Sequence, residues 1–291
     1  RTVGASLAGL IINVLGPVIV FVDNKIDANR MFMAACIFGV LAIACYIGCF
    51  KLSLERIEIP TKKVEKGAFL RSMKSLATNK PFIWVLTASL LAMLVQYLLT
   101  TVNIYLFKDY FGSTSALSMV GAIQMVAMFV CLPLVKPLVA KFGKKETALI
   151  GMSITTIVYT VLFFLKDLSA MQFVSVVAVG TFSMYLYNFV TWAFITDVTD
   201  YHEYKTSVRE DATVYGIIAM ARKVGLALAG GIGGVAIAAV GYDATLQTQT
   251  PEVLNGIYAL GTIVPAILYG LVVLVLFMYP LNKKKTAQLA E

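Results

Sequence analysis

Residues 196–215 read TDVTDYHEYKTSVREDATVY. Asp, Glu, His, Lys and Arg crowd this stretch, yet the chain on either side, 170–195 and 213–240, is almost wholly apolar. Each flank is long enough to cross a bilayer, which takes roughly 20 mostly apolar residues. A mixed-sign island between two such runs is what a bilayer produces when a chain leaves it and re-enters. A length of 291 residues would suit two soluble domains. Composition overrides that: 59% of residues are hydrophobic and 14% charged, with a mean hydropathy of +0.83, against about 25% charged in an ordinary globular chain.

Working outward, eight segments qualify as spans: 2–22, 31–50, 81–107, 116–138, 147–165, 170–195, 213–240 and 254–280. Backbone groups in lipid must be satisfied within the segment, so the spans are helices and the fold class is all-α integral membrane. Pro17, Pro133 and Pro265 should kink their helices and not end them. The loops 51–80, 139–146 and 196–212 with the tail 281–291 hold sixteen Lys and Arg, and the opposite loops hold four. By the positive-inside rule both ends of the chain are cytoplasmic. The net charge of +8 is thereby accounted for by orientation, and nucleic acid is not a partner.

Residues 51–80 form the one long polar connection, with a short amphipathic helix expected near 67–77. This divides the chain into two spans (1–50), a cytoplasmic linker (51–80) and a six-helix bundle with its tail (81–291). Six helices are a natural half of a two-part transporter, and two are not. The chain also opens at the edge of a span, RTVGASLAGL, with no Met and no signal-peptide pattern. We therefore expect about four further helices ahead of it.

Chemistry for an enzyme is missing. Cys36, Cys45, Cys49 and Cys131 lie inside apolar runs as small hydrophobes, and His202 is the sole histidine, which excludes His-based zinc sites. No Ser/His/Asp set or metal-ligand cluster occurs in the spans, and no cofactor is expected. Gly230, Gly231, Gly233 and Gly234 follow no strand, so they read as a helix-packing surface and not as a dinucleotide loop.

The stretch DVTDYHEYKTSVREDATVYG (197–216) resembles the signature between helices ten and eleven of the glycoside–pentoside–hexuronide:cation symporters, the melibiose-permease-like branch of the major facilitator superfamily. That pattern runs approximately D-x-x-D-Y-x-E-[WY]-K-T-G-x-R-x-E-G. The chain matches it at Asp197, Asp200, Tyr201, Glu203, Tyr204, Lys205, Thr206 and Arg209, with Asp211 for Glu. It departs at Ser207 and Ala212, where Gly is usual, and His202 is uncommon there. KPLVAKFGKKETALIG (136–151) is similar to the family's basic turn between helices eight and nine, and RTVGASLAGL to the start of helix five. The resemblance covers the chain as helices five to twelve of a twelve-helix bundle, eight present of twelve. It implies symport of a sugar or glycoside with Na⁺ or H⁺ in a bacterial cytoplasmic membrane. The coupling cation would be held by early helices absent from this chain.

Candidate residues follow. Asp197, Asp200, Tyr201, Glu203, Lys205, Arg209 and Asp211 form a cytoplasmic network whose pairs could bias alternating access; the bland alternative is a solvated loop with pairs of about 0–1 kcal/mol. Arg222 and Lys223 lie roughly 15 Å into their helix, where charge is costly and usually functional, and no span contains Asp or Glu to neutralise them. The resemblance places Lys223 at the lysine that links sugar and cation sites; the alternative is snorkelling to the interface. Thr181, Tyr185, Asn188 and Trp192 share one helix face, and Gln96, Thr100 and Asn103 another, while Gln124 and Asn13 are weaker candidates on other spans. Hydroxyl and amide groups with an aromatic plate suit a sugar, and interhelical hydrogen bonding is the alternative. Arg1 matches a sugar-binding arginine of the family's helix five. Two further functions stay open: transport of an anionic hexuronide or amphipathic lipid, to which two neighbouring cations are suited, and a non-transporting membrane scaffold.

Overall fold

The computed structural model describes residues 21–22, 25–26, 28–53, 68–246, 248–283 and 285–286. Residues 2–20 of the expected span 2–22, with Arg1, Asn13, Pro17 and the RTVGASLAGL segment, lie outside the described residues, and only Phe21–Val22 at its end are described. The chain divides into two units, Arg1–Glu65 and Lys66–Glu291.

In the first unit β1 (Phe21–Val22) pairs antiparallel with β2 (Lys25–Ile26), and α1 spans Ala28–Leu52. Almost every large apolar side chain of α1, from Phe32 to Phe50, is exposed within the unit. Such a surface suits lipid or another helix and not water.

The second unit is helical among its described residues. It runs α2 (Ala68–Ala77), α3 (Lys80–Tyr105), a π-type turn (Leu106–Tyr110), α4 (Thr114–Phe142), α5 (Lys144–Phe164), α6 (Ala170–Thr206), α7 (Asp211–Ala239) and α8 (Pro251–Met278). The short helix expected near 67–77 is α2. Among the described residues seven helices, α1 and α3 to α8, are long and apolar enough to cross a membrane. Starts are set by local chemistry: Asn79 accepts from the Phe82 N–H, and Ser169 with Gln172 closes a reciprocal capping box. Pro133 and Pro265 lie inside α4 and α8, which continue through them.

Small residues set the helix contacts. α7 packs chiefly on α3, α8 on α3 and α5, and α6 on α5 and α4. Along α7 the buried positions Ala221, Gly225, Ala229 and Gly233 repeat every four residues and face α3. A Cβ on Gly225 would come within 2.7 Å of the Leu90 carbonyl oxygen, so only glycine permits that approach. This revises the glycine surface read from sequence. Of the four glycines named there, Gly233 abuts a neighbour, Thr101, while Gly230, Gly231 and Gly234 meet nothing among the described residues.

A second revision concerns 196–212, expected as a loop. Residues 196–206 continue α6, making it 37 residues long. They contain neither Gly nor Pro, and Asp197, Asp200 and Glu203 face cationic side chains. The helix stops at Ser207, which takes the left-handed conformation at φ 56°.

Candidate functional site

A cavity of about 180 Å³ opens between α3, α4, α5, α6 and α8. From α3 it is lined by Gln96, Thr100 and Asn103, from α4 by Gln124, and from α6 by Thr181. Tyr159 of α5 and Tyr269 of α8 complete the aromatic part of the wall, their ring centroids 5.6 Å apart. Among the described residues no charged side chain lines it.

Most hydroxyls of this wall are already used by backbone. Thr155 donates to Gly151 O at 2.9 Å and Gly180 O at 3.0 Å, Thr181 to Val177 O at 3.0 Å, and Thr100 to Gln96 O at 3.1 Å. The Tyr269 hydroxyl lies 3.2 Å from Met184 Sδ. The side-chain amides of Gln96, Asn103 and Gln124 make no hydrogen bond among the described residues. Each offers two donors and an acceptor. The wall thus has amides for hydroxyl groups and a tyrosine pair for an apolar ring face.

The face of α6 continues away from the cavity through Tyr185, Asn188 and Trp192, all half-buried. These three do not line it. Trp192 stacks with Tyr215 of α7 at 6.1 Å, and the Arg222 guanidinium carbon lies 5.4 Å from the Trp192 ring. Arg222 is half-buried and Lys223 exposed, because Ala221 and Gly225 take the face of α7 that meets α3. Neither cation lines the cavity. Adjacent helical residues point about 100° apart, so burial of one and exposure of the other is the expected geometry.

The charged end of the unit is a separate layer. Arg209 binds Glu203 Oε2 at 2.7 Å, Asp200 Oδ1 at 3.2 Å and Asp211 Oδ2 at 2.7 Å. Hydrogen bonds to Asp211 and then Glu203 hold its guanidinium above the usual arginine range. Asp197 does not join this cluster. It is buried and pairs at 2.5 Å with Lys144, at the start of α5. Lys145 donates to Phe277 O at 2.8 Å and Tyr279 O at 2.5 Å, and Lys283 to Ala140 O at 2.6 Å. Both lysines therefore satisfy orphan carbonyls at helix C-termini, where the dipole favours a cation. Lys205 is exposed and Tyr201 half-buried, and neither has an ion pair or hydrogen bond among the described residues.

Sequence reading missed Lys144 as the partner of Asp197, and it missed Tyr159, Tyr269 and Thr155 in the wall. Thr155 and Tyr159 are four apart on one helix face, a signal available in the sequence. Nothing in the sequence separates Lys144 from its neighbour Lys145.

A membrane-spanning helical bundle with an uncharged polar cavity and a charged layer at one end is a solute-carrier architecture. The chain belongs to the family described as MFS/sugar transport protein, whose pattern matches residues 1–283. It is thus an integral membrane protein of a transporter family and not an enzyme. It is 27% identical over 276 residues to the symporter YjmB of Bacillus subtilis (strain 168), covering 94% of this chain and 59% of that protein. It is 29% identical over 250 residues to the glucuronide carrier protein homolog of Escherichia coli (strain K12), covering 84% and 54%. It is 28% identical over 271 residues to the isoprimeverose transporter of Lactiplantibacillus pentosus, covering 91% and 55%. The chain spans between 54% and 59% of the length of these relatives.

Proposed function

We propose that the chain carries the sugar-recognising bundle of a secondary transporter that moves a sugar or glycoside together with Na⁺ or H⁺ by alternating access. The cavity carries this reading. Three uncommitted amides beside a tyrosine pair, with no charge in the wall, suit a neutral polyhydroxylated ring. Gln96, Asn103 and Gln124 bind hydroxyls, and Thr100 shapes the wall. The face through Tyr185, Asn188 and Trp192 leads from the cavity toward Arg222 and Lys223, which lie on the solute pathway. Lys223 stands between the sugar and the coupling cation. The described parts of the spans hold no carboxylate near mid-depth, so the cation is held elsewhere in the protein. Arg209 with its three acids, and Lys144 with Asp197, form the cytoplasmic gate: pairs made in one state and broken in another bias the equilibrium. The membrane is the bacterial cytoplasmic membrane, with the Lys/Arg-rich end inside.

The test is uptake of radiolabelled glycosides by cells that lack their own carriers and express the transporter containing this chain, with and without a Na⁺ gradient or a protonophore. Saturable uptake that collapses with the gradient is expected. Correct insertion in the membrane with no uptake of any sugar would overturn the proposal.

A second reading, an anionic hexuronide, draws on the Arg222–Trp192 stack and the neighbouring Lys223. In that case the ring sits at the aromatic plate and its carboxylate meets a cation. Competition between a neutral glycoside and the matching uronide separates the two, since each reading predicts the stronger competitor.

A further inference from the structure

Apart from the cavity and the Arg209 cluster, a partly buried polar chain joins four segments of the second unit. Ser72 of α2 donates its hydroxyl to Glu210 Oε1 at 2.5 Å. Glu210 Oε2 is buried with no hydrogen-bond partner among the described residues and faces His202 Nε2 at 3.8 Å. His202, on α6, is 2% exposed, and its Nδ1 lies 3.4 Å from Asn79 Nδ2. Asn79 is the N-cap of α3, and its Oδ1 accepts from the Phe82 N–H at 3.2 Å.

That cap fixes the proton on the imidazole. The Asn79 oxygen serves the helix, so His202 meets the NH₂ group, which only donates. Nδ1 must then accept, and the neutral ring carries its hydrogen on Nε2, pointing at Glu210. A second proton has to go on Nδ1. It sets two donors against each other at Asn79 and places a cation beside a buried carboxylate oxygen. The neutral contact with the Asn79 amide is lost, and the Nε2–H facing the carboxylate becomes half of an ion pair. Charge-assisted bonds are roughly twice as strong, so the pair with Glu210 prevails.

Glu210 is the one carboxylate within 4.0 Å of His202 among the described residues. Arg209, next to it, is turned to Asp200, Glu203 and Asp211. From α2 and α3 the facing groups are Ser72, through Glu210, and Asn79, neither of which titrates. Lys74, Lys80 and Lys205 are exposed.

We propose that Ser72, Glu210, His202 and Asn79 form a pH-set latch that fastens α2, the short helix leading into α3, to the ends of α6 and α7. With His202 neutral, Glu210 is loosely opposed and α2 is held by Ser72 alone. Protonation draws Glu210 onto the imidazole and tightens the hold on α2. The latch therefore strengthens toward lower pH, when the imidazole takes its second proton.

The chain has one histidine, so its imidazole nitrogen resonances are unambiguous. In the ¹⁵N-histidine-labelled 291-residue chain in lipid bilayers, magnetic resonance at pH 8 should show hydrogen on Nε2 and none on Nδ1. Amide exchange across Ala68–Ala77, corrected for chemical exchange, should be about tenfold slower at pH 5.5 than at pH 8. His202→Gln and Glu210→Gln should each remove the pH dependence, and Ser72→Ala should leave exchange fast at both pH values. Hydrogen on Nδ1 at pH 8 overturns the latch. So does exchange of α2 that ignores pH, or a pH dependence that survives in His202→Gln. If the variants fail to fold, the resonances and exchange of the unsubstituted chain decide the matter.

Discussion

Gln96, Asn103 and Gln124 leave their amides uncommitted around the cavity, whereas Asp197, Arg209 and Lys145 spend their charged groups on other parts of the protein. The same kind of resource, polar side chains on helices, serves opposite ends in the two regions. A binding wall needs groups that lose water to a ligand and regain a partner only when the ligand arrives. A helix terminus needs its orphan carbonyls and buried carboxylates satisfied at once. Substitutions should therefore separate: changes in the cavity reach solute binding and spare stability, and changes at the charged end reach stability first.

The largest effect is expected at Lys144. Asp197 is 6% exposed, and removing its cation leaves an uncompensated charge in a buried place. Lys144→Ala should lower stability by about 3–5 kcal/mol, read as thermal or denaturant unfolding in detergent. Asp197→Asn should cost less, since it removes the charge with the pair. The double variant Lys144→Ala/Asp197→Asn should recover much of the loss. If it is no better than Lys144→Ala alone, the unpaired carboxylate is not the cause.

Next come the amides of the cavity. Gln96→Ala and Asn103→Ala should each weaken sugar binding or raise the KM of uptake about tenfold, the worth of one good hydrogen bond to ligand. Unfolding midpoints should stay where they are, because neither amide bonds to protein among the described residues. A fall in stability equal to that of Lys144→Ala would erase the contrast between the regions.

Much of this contrast could be read in the sequence, and the exceptions have physical reasons. Gln96, Thr100 and Asn103 stand at helical spacing on one face and Thr181 begins another, so periodicity put these four on shared faces, and they line the cavity together with the lone polar candidate Gln124. Tyr185, Asn188 and Trp192 share the Thr181 face but lie farther along a helix that outlasts the cavity. A face in sequence has no end, while a cavity does. At the charged end the residue types were legible and the pairing was not. Asp197 and Arg209 sit twelve residues apart in one motif, but where the α6 helix stops decides their partners. Because α6 runs on to Thr206, Arg209 folds back to Glu203 and Asp200, and Asp197 is left facing Lys144 of α5. Helix packing within the described residues rests on other glycines for a related cause. Gly230, Gly231 and Gly234 are denser in sequence, but Gly225 and Gly233 are eight apart on the face that meets α3.

Arg209→Gln should have a smaller effect than either. Its three ion pairs are exposed, with the arginine side chain 46% accessible, so solvent and salt screen them. The expected loss is about 1 kcal/mol at low ionic strength, shrinking as salt rises. A salt-independent loss of several kcal/mol would mean that the cluster behaves like the Lys144–Asp197 pair and that the two are one network.

The smallest effect should be a gain. Ser207 ends α6 at φ 56°, a conformation that costs a residue with a Cβ about 1–2 kcal/mol. Glycine removes that cost but gives the unfolded chain more freedom, worth roughly 0.5–1 kcal/mol against it. Ser207→Gly should therefore stabilise the protein by about 0.5 kcal/mol, the difference between these two terms. The Ser207 N–H still donates to Glu203 O in either case, so the change isolates the backbone conformation. Ser207→Ala is the control: it keeps the Cβ and the strain, and its midpoint should not rise. If alanine stabilises as much as glycine, the serine hydroxyl and not the left-handed turn is what limits the end of α6, and the Arg209 cluster that this turn folds back would have to be set by its charges alone.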